Sequence, residues 1–183
     1  MIRFMIIVIC LIFFVSCATG PYPVTSPYYL IPANSILKLN QPLEIPANKG
    51  RVYLQYGKVV AHNKLDQYFP HCWFISWKIS DSTITITPDS FKIIETIKYE
   101  TFAAAKKQLR LAMASTRFAS GVNGATAMEY MTIIKIHSDK QPAIKELTCS
   151  HWEDPADATH LTLSQITRTL GKLAEIKLVN VVP

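Results

Sequence analysis

The sequence predicts a mainly β domain, an antiparallel sandwich or barrel-like fold with one C-terminal helix. Three observations lead there. Runs rich in β-branched and aromatic residues recur at spacings near ten residues from Ser35 to Cys149. Turn residues separate them, which is the pattern of antiparallel all-β folds. Only one stretch, after Leu161, pairs a helix-start signature with a helical apolar stripe.

Along the chain, Ile36–Asn40, Pro42–Pro46 and Arg51–Tyr56 alternate apolar and polar residues with period two, and Gly57–Val60 follows. Ile31-Pro32-Ala33-Asn34 and Ile45-Pro46-Ala47-Asn48 echo each other. Each sets Pro, a small residue and Asn after an apolar position, which is turn chemistry. Cys72–Ile79 and Thr83–Thr87 follow as strands around an Asp81-Ser82 turn, and Pro88-Asp89 breaks the chain. Phe91–Glu100, Tyr130–His137 and Ile144–Cys149 complete the set. Phe102–Asn123 departs from it: Lys106, Lys107, Arg110 and Arg117 lie in a stretch without acid, whose Ala/Leu/Lys content favours a short helix. It reads as a basic insertion at about 102–123 joining two strands. Thr162 and Gln165 match a capping box, and Ile166, Leu170 and Leu173 supply the stripe. Gly171 either ends or interrupts this helix, and Ile176–Val182 reads as a closing strand.

The 183 residues carry 19 basic and 13 acidic side chains, and 49% of them are apolar. So much apolar side chain excludes disorder over the whole chain. No second long uncharged apolar run follows the N-terminal one, which excludes a polytopic helical membrane protein. Residues 1–16 carry one charge, Arg3, and a twelve-residue apolar run from Phe4 to Val15. A membrane-crossing helix needs roughly 20 residues, so this run has the length of a signal-peptide core. Phe14-Val15-Ser16-Cys17 resembles the bacterial lipobox, in which a Cys after a small residue receives diacylglycerol before cleavage. Phe14 stands where Leu is usual. An ordinary signal peptide cleaved nearby and an uncleaved anchor helix are the alternatives; the order of apolar core, Ser16, Cys17 and a Pro/Gly stretch favours lipidation at Cys17.

The resemblance implies attachment to a membrane through acyl chains on Cys17. Ala18 is not the Asp that commonly retains such lipoproteins at the inner membrane, so it implies the outer membrane, facing the periplasm. Residues 17–33, with Gly20 and four prolines among Tyr22, Tyr28 and Tyr29, read as a stiff tether, or else as a tyrosine strip that docks on a partner or on the domain itself. Residues 34–183 then form a single β-rich domain.

With Cys17 lipidated, Cys72 and Cys149 remain. In an oxidising compartment such a pair is most simply a disulfide. A Cys₂His₂ zinc site with His71 and His151, or two free thiols, are the alternatives. Zinc is disfavoured because adjacent His71 and Cys72 on a strand point to opposite faces. No nucleophile-elbow, zinc-protease, P-loop or dinucleotide pattern is present, so no catalytic residue and no cofactor is expected. A hydrolase would require Asp66, His71, His151, Glu153 and Asp154 to converge. The basic insertion suits anionic headgroups, peptidoglycan carboxylates or an acidic partner. Export separates the chain from nucleic acid.

Leu37-x-Leu39-Asn40-Gln41-Pro42-Leu43-x-Ile45-Pro46-Ala47, Arg51–Gln55 (RVYLQ), Tyr68-x-Pro70-His71-Cys72, Ser138-x-x-Gln141-Pro142, Leu147-x-Cys149 and Leu163-x-x-Ile166 resemble a group of small gammaproteobacterial lipoproteins of unknown function. The resemblance implies a shared fold and address, without assigned chemistry. The expected role is non-enzymatic: an envelope interaction or assembly factor, as an accessory of an outer-membrane complex. The alternative is a small-ligand or glycan binder that stacks Trp73, Trp77 and Trp152 on one aromatic face.

Overall fold

In the computed structural model the structure is described for residues 22–102, 127–156 and 159–179. Cys17, the signal-like residues 1–16, the basic insertion from 103 onward and residues 180–183 lie outside them.

The period-two runs form ten strands. These are β1 (Ile36–Leu39), β2 (Leu43–Ile45), β3 (Arg51–Gln55), β4 (Lys58–Val60), β5 (His71–Ser76), β6 (Ile84–Ile86), β7 (Asp89–Phe102), β8 (Met128–His137), β9 (Ile144–Glu153) and β10 (Ala174–Lys177). Helix α1 (Leu163–Leu170) precedes the last strand. Eight strands make one antiparallel sheet in the order β10-β1-β7-β8-β9-β5-β3-β4, curled into half a barrel. β2 and β6 pair as a separate two-stranded ribbon.

Most strands turn one apolar face inward. Leu37, Val52, Leu54, Phe74, Phe91, Ile93, Ile134 and Leu147 are 3% exposed or less and form one core with Leu43, Ile45 and Ile86 of the ribbon and Ile166 and Leu170 of α1. The ribbon and α1 thus cover the inner face, which an open sheet must do to bury its apolar side. Cys72 and Cys149 lie directly opposite each other on β5 and β9, both fully buried, and form a disulfide across the pair with Cα atoms 4.0 Å apart. The bond therefore staples two adjacent strands within the sheet.

Local chemistry sets the turns. In the two Ile-Pro-Ala-Asn segments, Asn34 and Asn48 both take the left-handed conformation, with φ of 70° and 59°. Ser35 and Lys49 N–H donate to Pro32 O (3.2 Å) and Pro46 O (3.1 Å). Pro presets the turn and Asn tolerates the positive φ, so the echo in sequence is one turn used twice. Tyr56 and Gly57, at φ of 54° and 71°, make the two-residue turn between β3 and β4. α1 begins at the expected capping box: Gln165 N–H donates to Thr162 Oγ1 (3.3 Å) and Thr162 N–H to Gln165 Oε1 (2.8 Å). It ends at Gly171, so Leu173 belongs to the connection into β10 and not to the helix.

Several expectations need correction. The stretch up to residue 33 is not a free tether throughout. Ile31 is 3% exposed, Tyr29 packs on the core and Thr96 Oγ1 donates to Ile31 O (3.0 Å), because Ile31 completes the apolar inner face beside β7. The strand expected to reach Ile79 stops at Ser76; there a bulge shifts the β5–β9 register and Trp77 N–H donates to Ala143 O (2.9 Å). β9 runs four residues past Cys149, because β8 pairs with it as far as Glu153. The closing strand begins at Ala174, where β1 supplies an edge.

Two outcomes follow. Reducing the disulfide, or replacing Cys72 and Cys149 by Ala, should lower unfolding free energy by up to about 4.5 kcal/mol for the loop it closes, measured by denaturant titration with and without reductant. Gly171→Ala should destabilise by about 1–3 kcal/mol, measured by the same titration. Its Cβ would lie 2.7 Å from Gly57 Cα, at a φ of 58° that L side chains rarely adopt.

Candidate functional site

The sheet carries an open groove of about 1040 Å³ at its β4 edge. The turn before β3 (Asn48–Gly50) and the start of β3 form one bank, and Val59–Asn63 the other. Tyr53, Val60, Ile75 and Ile79 give it an apolar lining, with Lys49 and Arg51 against the single acid Glu44. Val59 and Ile79 are 52% and 68% exposed, so the groove adds to an apolar surface already open to solvent. Arg51 is held in place: its guanidinium lies 5.7 Å from the centre of the Trp73 ring. Lys49, Arg51 and the neighbouring Lys58 form no ion pair among the described residues.

The groove exists because β4 is short. It pairs with Tyr53, Leu54 and Gln55, then leaves the sheet at Ala61 for a 3₁₀ turn at His62–Lys64. Gln55 holds the following loop down: its Nε2 donates to Asp66 O (2.7 Å) and its Oε1 accepts from Asp66 N–H (3.2 Å). Sequence reasoning did not single out this place. Its signal was a six-residue strand-like run, Arg51–Tyr56, facing only three residues, Lys58–Val60, across a tight turn.

A second cluster lies at the rim of the inner face, beyond the disulfide. Lys98, Glu100, Tyr130, Thr132 and His151 come from β7, β8 and β9, with His160 from the segment before α1. His160 Nε2 is 3.2 Å from Glu100 Oε1, and its ring meets Tyr130 and Tyr28 edge-on, at 5.4 and 6.5 Å between centroids. Lys98 Nζ donates to Thr132 Oγ1 and Leu161 O, both at 3.4 Å. Burial lowers Lys98 to about 8. Burial likewise pulls His71, His151 and His160 below the usual imidazole range, with Lys98 adding to the effect at His160 and Glu100 opposing it. The Nδ1 atoms of His151 and His160 are buried without a partner among the described residues. These groups anchor the N-terminal segment through Tyr28, and the neutral imidazoles suit that packed position.

The remaining sequence candidates take structural places. Cys72 and Cys149 are bonded to each other, so their sulfurs are not thiolate ligands, and His71 lies on the outer face while His151 lies on the inner. His151 sits 3.8 Å from Glu153, Asp66 Oδ1 accepts from Tyr68 N–H (3.1 Å) and Asp154 Oδ1 from Ala156 N–H (3.0 Å). The five candidate hydrolase residues therefore do not converge. Nor do the tryptophans. Trp73 is 7% exposed on the outer face between Tyr53 and His71, Trp152 meets Tyr68 near the end of β9, and Trp77 is 68% exposed at the opposite pole beneath Lys145. The Ser138-x-x-Gln141 motif has a structural use: Ser138 Oγ (2.6 Å) and Gln141 Nε2 (3.1 Å) donate to Asp89 Oδ2. The Ser138 bond comes first in holding the Asp89 carboxyl below its usual range.

No family model matches the chain, and no curated protein or solved structure is significantly similar to it.

The histidines make stability pH-dependent. An imidazole held below its unfolded value of about 6.5 leaves the unfolded chain binding more protons as pH falls, so stability is full above that value and declines below it. Thermal unfolding should shift to lower temperature between pH 7 and 5, and His160→Gln should flatten that dependence. A midpoint that rises on acidification would contradict the neutral, packed imidazoles.

Proposed function

We propose that this chain is a lipid-anchored, non-enzymatic interaction protein of the outer membrane, facing the periplasm, and that the groove at the β4 edge receives an extended segment of another envelope protein. The groove is the single observation that carries the reading. It is open, apolar along its length and rimmed by cations in excess of acids, which suits a segment with apolar side chains flanked by carboxylates. The address rests on the lipobox-like Phe14–Cys17 and on the motif resemblance to small gammaproteobacterial lipoproteins. Two or three acyl chains hold a protein at a membrane stably, at about 0.8 kcal/mol per buried methylene. A buried disulfide suits an oxidising compartment. The scattered tryptophans do not support stacking of a glycan on one aromatic face, so the binder reading is not carried further. Peptidoglycan contact through the basic insertion would be additional to the groove.

The reading is tested in cells. Metabolic labelling with a fatty acid should mark the wild type, and Cys17→Ser should abolish the label. A photo-crosslinking residue at Ile79 should give a discrete adduct that Val60→Asp abolishes and that the same crosslinker at Ile176, on the opposite edge strand, does not give. A label that persists in Cys17→Ser, or is absent from the wild type, contradicts the anchor. An Ile79 adduct indifferent to Val60→Asp contradicts the groove.

A further inference from the structure

The groove is bordered by unpaired backbone as well as by side chains. β3 is five residues long, but β4 pairs with only its last three. The two-residue turn makes Gln55 and Lys58 a hydrogen-bonded pair, so Tyr53 and Val60 form the next such pair. Odd-numbered residues of β3 therefore aim N–H and C=O toward β4, and even-numbered ones toward β5. The bond from Ser76 N–H to Gly50 O, 2.9 Å, fixes the same phase from the β5 side. Arg51 consequently turns both backbone groups into the groove, beyond the point where β4 has left the sheet. Neither has a partner among the described residues.

We infer that the partner segment binds by completing the sheet: it lies as a strand in the unfilled length beyond Val60 and exchanges backbone hydrogen bonds with Arg51. This rests on the groove reading above and gives it a mechanism. About two residues fit the length that β4 leaves open beside Arg51 and Val52, at roughly 3.3 Å each. Their side chains alternate, one row against Tyr53, Val60 and Ile75 and the other toward Val52 and Pro46. Lys49 and Arg51 line the site against Glu44, so carboxylates flank the apolar residues of the occupant. Proline is excluded from the residue facing Arg51. Strand addition of this kind draws affinity from the main chain and specificity from alternate side chains. It also explains how a free edge is kept from indiscriminate pairing, since the open length is short and bordered by charge.

The test uses the mature chain and a capped seven-residue peptide whose central valines are flanked on both sides by glutamates, with binding read by fluorescence anisotropy. The wild type should bind. Arg51→Pro deletes the N–H aimed at the groove at a strand's first residue, where proline is tolerated. It should weaken binding at least about tenfold more than Arg51→Val, which loses the same guanidinium but keeps the amide. Peptide N-methylated on alternate amides removes the partner's side of the same bonds, and should fail even if Arg51→Pro does not fold. Lys177→Ala, on the opposite edge strand β10, should bind as the wild type does. Equal affinity of Arg51→Pro and Arg51→Val, with binding still lost in Val60→Asp, overturns strand addition and leaves the groove reading standing. Loss of binding in Lys177→Ala overturns the location. No binding to the wild type overturns the inference.

Discussion

The pairing of β5 with β9 is the constraint on which the rest of the structure depends. These strands stand in the middle of the curled sheet, and each presents alternate residues to one core. A slip of one residue would turn Phe74 and Leu147 outward and leave His71 and Ser150 facing the apolar interior. Cys72 and Cys149 forbid that slip covalently, because their side chains reach each other only in the observed register. β3 and β8 are then placed on either side through Leu54 and Thr132, which oppose the two cysteines. The order of the whole sheet propagates from this pair toward its two edges.

The edges are where the constraint is weakest and where the surface is most open. β10 closes one side against β1, with α1 and the Gly57–Gly171 backbone contact tying the chain's end to the hairpin on the other side. That contact fixes the β3–β4 turn, so the short strand after it must leave the sheet early once Gln55 pins the loop at Asp66. The groove is a product of this geometry: a step in a stapled sheet, which the proposed segment would find already formed. Preformed sites of this kind lose little ordering entropy on the protein's side when they bind.

Much of the fold was legible in the residues. Alternation marked most strands because one face is buried throughout, Thr162 and Gln165 marked the helix start, and the two Ile-Pro-Ala-Asn segments marked turns. The disulfide followed from two cysteines in strands. Pairing was not legible: nothing in Leu43–Ile45 distinguishes a ribbon strand from a sheet strand, and the choice depends on β6, forty residues away. Ile31 was hidden by its prolines, which suit a spacer and equally a strap fixed by one buried side chain. The groove was missed because it depends on where β4 stops, and strand ends are set by tertiary contacts such as those of Gln55. The candidates that were visible, the histidines, acids and tryptophans, were conspicuous as residue types, but His71, His151 and Trp73 are buried in packing, while Asp66, Asp154 and Trp77 are exposed at separate places.

The most direct measurement is backbone amide hydrogen exchange, residue by residue, on the folded, oxidised protein. The arrangement predicts slow exchange for Val52, Leu54, Cys72 and Phe74, and exchange on the order of a hundredfold faster for Arg51, whose amide faces the empty length of the sheet edge. Protection of Arg51 equal to that of Val52 would mean that the step in the sheet is already filled or differently paired, and would contradict both the edge geometry and the binding surface built on it.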